Sequence, residues 1–208
     1  MTVEESYLQE SIENMIIREQ SRADSRDIKI AALVNIGSAM ERGNKSEEIR
    51  QALEYMGLEG TVYRILNNGR LINNFPDVRR ECAKYLGILG TAAAKDVLLK
   101  IAANDNEPLV IQEAIKSLGD IGIDDNGRTI NTIGRIVQKF QNINPDNLLA
   151  FSAIVTIEKL GLQFGLNNQE IIQILLQIHE GPYLNVVKNR ARLAMDKIQN
   201  ARKEQQRR

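Results

Sequence analysis

Apolar residues along this chain recur at helical spacing. Leu8, Ile12, Met15 and Ile16 fall at i, i+4, i+7 and i+8, which is one face of a helix. Thr2 and Glu5 ahead of them have the Thr-x-x-Glu spacing of a capping box. The spacing therefore predicts an amphipathic helix ending near Arg22, polar on its other face. Ile49, Leu53 and Met56 give another buried face, which Gly57 and Gly60 terminate. Val62, Ile65 and Leu66 point inward on a helix expected from about Thr61, over 60–73, with a frayed end or kink at Asn67-Asn68-Gly69, where Asn-Gly is turn chemistry. Further faces are Ala94, Val97, Leu98 and Ile101, then Ile130, Ile133, Val137 and Phe140, then Ile171, Ile172, Leu175 and Ile178.

The remaining helices are copies of one another. The stretch 74–90 contains Pro76, Val78, Cys82, Leu86, Gly87 and Gly90, and a shift of 32 residues places Pro108, Val110, Ala114, Leu118, Gly119 and Gly122 on them. Pro145 and Pro182 open two more copies, each 37 residues on, with Leu149, Ala153, Ile157 and Leu160 and then Val187, Ala191, Met195 and Ile198 in the core slots. A degenerate copy without proline starts at Arg26, setting Ile28, Ala32, Ile36 and Gly37 on Val78, Cys82, Leu86 and Gly87. Proline is favourable in the first helical turn because it has no N–H to satisfy there and its φ is already helical. Asn106, Asn144 and Gly181 stand close ahead of the later prolines as N-cap candidates. A period of this length built from helix starts predicts a helical repeat array. The expected pairs are 26–42 with 45–57, 60–73 with 76–90, 92–103 with 107–122, 127–142 with 145–162, and 168–180 with 182–203. The N-terminal helix, 1–24, reads as the polar end cap such arrays need, and 204–208 as a frayed basic tail. The whole of 1–203 is then one domain.

The run Pro76-Asp-Val-Arg-Arg-Glu-Cys-Ala-Lys-Tyr-Leu-Gly-Ile-Leu-Gly90 resembles the second helix of HEAT repeats, including the short variety of phycobilisome lyases. Their pattern is Asp-Pro or Pro-Asp, Val-Arg, two variable residues, Ala-Ala, then Leu-Gly-x-Ile-Gly. Residues 107–122 are a second good match, with Ile111 where the arginine would be. The resemblance covers about 26–200 and implies an all-α fold, a right-handed α-α superhelix with second helices lining the concave, binding face. It also places Asp77 and Arg79 where a polar ladder ties neighbouring repeats. Only the Pro76 copy has both, so no continuous ladder is expected.

Composition narrows the function. The chain is 43% apolar but only 4% aromatic, without Trp, which suits close Leu, Ile, Val and Ala packing. It has 27 basic and 27 acidic side chains, a balance that argues against a protein dominated by attraction to nucleic acid. The charge is polarised, however. Residues 1–25 hold six acids and two bases, and 188–208 hold eight bases and two acids. No apolar run reaches membrane-spanning length. Thr2-Val-Glu-Glu-Ser lacks the basic and apolar regions of a signal peptide. The default is a cytoplasmic protein, with a secreted or periplasmic chain lacking its leader as the alternative.

Chemistry-bearing residues are sparse. Cys82, the one cysteine, sits in a slot filled elsewhere by Ala114, Ala153 and Ala191, so it reads as a small core residue. His179, the one histidine, stands beside Gly181 at a helix end and reads as a partner of the helix dipole. No phosphate loop, metal spacing or catalytic triad is visible, so no enzyme, cofactor or metal is expected. Two surface features remain. Arg79, Arg80 and Lys84, with Lys116 at the position of Lys84, form a basic stripe interrupted by Glu81 and Glu113. On the Pro145 helix, Phe151, Val155 and Leu162 form an apolar row where the other copies have Arg80, Gln112 and Asn189, or Lys84, Lys116 and Leu193. Either curvature of the array buries that row or a partner does.

The expectation is a non-enzymatic scaffold that binds a protein through Arg79, Arg80, Lys84, Lys116, Phe151 and Val155. One alternative is self-association through the acidic N-terminal and basic C-terminal helices. The other is nucleic-acid binding through the basic stripe with Arg190, Arg192, Lys197, Arg202 and Lys203.

Overall fold

The computed structural model describes residues 3–164 and 169–206. Among them ten α-helices follow in order: α1 (Val3–Arg22), α2 (Arg26–Glu41), α3 (Glu47–Leu58), α4 (Pro76–Leu89), α5 (Ala92–Asn104), α6 (Pro108–Ile121), α7 (Arg128–Ile143), α8 (Asn147–Phe164), α9 (Gln169–Glu180) and α10 (Asn185–Gln206). Consecutive helices pack in twos, α1 on α2 through α9 on α10, and each pair packs on the next. The result is an all-α solenoid. Three expectations fall outside the described residues: Thr2 of the capping box, the helix start at 167–168, and positions 207–208.

The helix expected over 60–73 is absent, which is a correction to the periodicity reading. A two-stranded hairpin stands there, β1 (Leu66–Asn67) against β2 (Arg70–Leu71), with Asn67 opposite Arg70. Its turn residues, Asn68 and Gly69, have φ of 49° and 77°, the left-handed pair that a two-residue type I′ hairpin turn requires and that Asn-Gly provides at least cost. Asn73 pins the base, its Oδ1 accepting from Ile65 N at 2.9 Å and its Nδ2 donating to Tyr63 O at 2.7 Å. Val62, Ile65 and Leu66 are consequently exposed. Losing this helix leaves five consecutive pairs, in which α1 both ends the array and serves as partner to α2.

The repeat positions read from the sequence are the core. Val78, Cys82 and Leu86 of α4, Val110, Ala114 and Leu118 of α6, and Leu149, Ala153, Ile157 and Leu160 of α8 are at most 1% exposed. Ile28, set against Val78, is instead 43% exposed. Pro76 and Pro108 occupy the first positions of their helices, and Gly90 and Gly122 close them in the left-handed conformation. The caps differ from expectation. Asp105 Oδ1 accepts from the N–H groups of Asn106 and Glu107 at 2.8 and 3.0 Å, and Asp146 Oδ1 accepts from Leu149 N at 2.9 Å. Asp146 rather than Asn144 caps α8, its charge suiting a helix N-terminus, while Glu107 takes the N-cap position of α6 without a side-chain bond and Asp105 orders the loop ahead of it. At the far end, α10 stays helical to Gln206.

The second helices form one layer and the first helices another. From α3 onward, α4, α6, α8 and α10 lie backbone to backbone much more closely than α3, α5, α7 and α9 do. Glycine makes this possible. A Cβ at Gly87 would meet Ser117 Oγ at 2.7 Å, and one at Gly119 would meet Thr156 Oγ1 at 2.9 Å. Ser117 and Thr156 occupy the same repeat position, two before the glycine slot, so each second helix sets a bare backbone against a small side chain of the next.

Candidate protein-binding face

Two buried ion pairs hold the N-terminal repeats in register. Lys29 of α2 is fully buried, with Nζ 2.7 Å from Glu59 Oε2 and donating to Ser21 O at 2.9 Å. Arg79 of α4, at the same repeat position, is 2% exposed and bonds Asp105 through Nε at 2.6 Å and Nη2 at 3.1 Å. Its Nη1 reaches Asn74 Oδ1 at 2.8 Å. In both cases a second-helix cation meets an acid in the loop that follows the next first helix. Position 111 and position 150 carry Ile and Ala, both fully buried, so the ladder becomes apolar there. Arg79, expected in the binding stripe, is thus an internal tie and faces no partner. Asp77, which the resemblance places beside Arg79 in such a ladder, also ties two second helices, accepting from Arg26 Nε of α2 at 3.3 Å. Burial pushes the Asp77 carboxyl up, and the Arg26 guanidinium more than offsets it, holding it below the ordinary carboxylate range.

The other expected residues are on the open side of the second-helix layer. Arg80 and Lys84 stand on α4, Lys116 on the adjacent α6, and Phe151 and Val155 on α8 beyond it. Their cations are already accompanied. Lys84 Nζ lies 3.3 Å from Glu81, Lys116 Nζ 3.2 Å from Glu113, and Arg80 Nε 4.0 Å from Glu113. Such exposed pairs contribute little to stability, but they cancel most of the stripe's field. Phe151, Val155 and Leu162 are 38%, 41% and 41% exposed. The solenoid itself therefore leaves this row uncovered.

Sequence reasoning missed part of the face. Leu148 of α8, Leu109 of α6 and Val186 of α10 share the position just before the first core slot, and all are exposed. Leu193 adds to them on α10. On α2, Ile30 and Val34 occupy the positions of Phe151 and Val155, with Val34 62% exposed, and they line a groove with Tyr85 and Leu109. Extending the two-position comparison to the degenerate first copy would have found this pair. The face is thus apolar on α2, charged on α4, mixed on α6, and apolar again across α8 and α10.

The pattern changes at Glu158, which stands in the glycine slot of α8. Its carboxylate is 8% exposed and bonds Arg190 and, at 3.0 Å, Lys197 Nζ of α10. Burial raises this carboxyl, and the two cations outweigh it, so the net shift is downward. Cys82 is fully buried and burial pushes its thiol up, away from reactive thiolate character. His179 Nδ1 lies 3.0 Å from Lys188 O, joining α9 to α10. No cluster of His, Cys, Asp or Glu among the described residues is arranged to hold a metal ion, and no described helix is long and apolar enough to cross a membrane.

Comparison with known families matches residues 69–126 to the model for HEAT repeats. That span runs from the hairpin turn to the loop before α7. No curated protein matches the chain.

Proposed function

We infer that this HEAT-repeat helical protein is a non-enzymatic scaffold that binds a protein on the open face of its second-helix layer. HEAT repeats are generally protein-interaction scaffolds. One observation carries the residue-level reading: Phe151 and Val155 stand 38% and 41% exposed in an apolar row continued by Leu148 and Leu162. A row of that kind on a folded surface marks an interface. Arg80, Lys84 and Lys116 border it, their ion pairs giving a polar rim of the sort that fixes orientation. The same ion pairs make the stripe itself a weak phosphate site, because Glu81 and Glu113 offset most of the charge of Arg80, Lys84 and Lys116.

The test is capture of the native partner by the wild type and by a Phe151→Ser, Val155→Ser variant of equal helicity. Loss of the captured protein supports the reading, and undiminished capture refutes it.

A further inference from the structure

Helix α1 is inside out. It meets α2 and α3 with Ile17, Ser21, Asn14, Glu13 and Gln20, bonding Asn44 Nδ2 to Asn14 Oδ1 at 3.1 Å and Asn35 Nδ2 to Gln20 Oε1 at 2.8 Å, and pairing Glu13 with Arg42. Leu8, Ile12, Met15 and Ile16, whose spacing predicts a buried face, are 62%, 47%, 53% and 44% exposed. A terminal helix in a solenoid ordinarily turns a polar face outward. Here the outward face is apolar, with Glu4 one turn before it and Glu19 one turn after it on the same side.

The other end of the chain carries the complement. Across α8 and α10 the open face exposes Leu148, Phe151, Val155, Val186 and Leu193. Beside it, Arg192 and Lys203 have no ion-pair partner among the described residues, and the segment 188–208 carries eight bases against two acids. Residues 1–25 carry six acids against two bases. An amphipathic helix laid by its i, i+4, i+7 anchors onto an apolar surface is a common recognition mode, and opposite charge around it sets orientation.

We propose that α1 of one copy docks, apolar face down, on the α8–α10 face of a second copy, so that the protein assembles head to tail. This rests on the reading of the α8 face as a docking surface and names its occupant. Pairing of α1 with another α1 would set the same acids against each other, a like-charge cost. The two surfaces differ, so the contact is heterologous. Each added copy leaves one α1 and one face open, and growth ends only if a ring closes.

Light scattering of the purified full chain over a concentration series, at low and high salt, tests this with two variants. Ile12→Lys, Met15→Lys alters only exposed α1 positions, and Phe151→Glu, Val155→Glu alters only the face; circular dichroism checks that each retains wild-type helicity. The wild type should exceed single-chain mass, increasingly with concentration and less so in salt. Each variant alone should have single-chain mass. Their equimolar mixture should reach two chains and stop, since one intact α1 then meets one intact face. A wild type that stays a single chain throughout overturns the proposal. So does a mixture that fails to pair, or a face variant that still assembles, which would point to contact between α1 helices. A single-chain wild type whose partner capture still depends on Phe151 and Val155 removes this inference and leaves the scaffold reading standing.

Discussion

Arg79 grips Asp105 at two points across a repeat boundary, with 2% of the arginine side chain and 1% of the aspartate exposed. Neither charge has water to fall back on, and Asp105 simultaneously holds the backbone N–H groups of Asn106 and Glu107 in the loop ahead of α6. Arg79→Met should therefore destabilise the protein by about 3–5 kcal/mol, because it leaves a buried carboxylate without its cation. Adding Asp105→Asn removes that charge while keeping an oxygen for the backbone donors, and should recover a large part of the loss. Urea denaturation of both variants measures it; a loss below about 1 kcal/mol, the range of exposed sites, would contradict the burial.

Leu118 and Leu148 are the same residue type on adjacent second helices, one 0% and the other 61% exposed. Leu118→Ala should cost about 2–5 kcal/mol, as deletion from a packed core does. Leu148→Ala should stay within about 0.5 kcal/mol. Equal effects would mean that the repeat register is wrong.

Gly119 faces Thr156, whose Oγ1 also donates to Ile115 O at 3.0 Å. Gly119→Ala should destabilise by about 1–3 kcal/mol through overpacking, despite alanine's better helix propensity. Thr156→Ala alone should cost about 1 kcal/mol for the lost hydrogen bond. Combined, the two should cost less than their sum, and a double-mutant cycle reads the coupling. Strict additivity would show that the helices do not touch there.

Acid should act through Glu158. Its folded pKa lies below the unfolded value of about 4.3. The stabilisation from Arg190 and Lys197 is then complete above the unfolded value and is lost as pH falls through the folded one. Thermal midpoints from about pH 7 to about pH 3 should show Glu158→Gln less stable at neutrality and converging with the wild type on acidification. A constant gap would place the carboxylate outside this network.

The legible and illegible parts of this chain divide by the range of the interactions involved. Pro76, Pro108, Gly87 and Gly119 announced the repeat because α4 and α6 apply the same local requirement at the same position. Leu118 and Ile157 followed from that register. Val62, Ile65 and Leu66 misled because three apolar residues fit a helix as well as they fit a hairpin, and Asn68-Gly69, two residues of positive φ, decided the matter. Arg79 stood in two expectations, the inter-repeat ladder and the binding stripe, and an acid 26 residues away, in a loop, decided for the ladder. In α1 the period correctly gave an apolar face, yet a period says nothing about which way the face turns; Asn14, Gln20 and Glu13 decided that by bonding to α2 and the loop behind it. At the candidate site, Phe151 and Val155 were visible as departures from the template, whereas Ile30 and Val34 were hidden in the copy that departs from it most.

The glycine contacts between second helices have one more consequence. Neighbours spaced tightly on one side and loosely on the other cannot stack straight, so each repeat is a wedge, like a stone cut for an arch. The wedge's narrow edge is Gly87 against Ser117 and Gly119 against Thr156. Ile30 and Val34 at one end of the span and Phe151 and Val155 near the other are then joined by a chord shorter than the path over the helices between them. At about 8–10 Å per helix step, that path is roughly 30 Å, close to the length of one 20-residue helix. The width of a missing methyl group thus sets the distance between these two apolar patches.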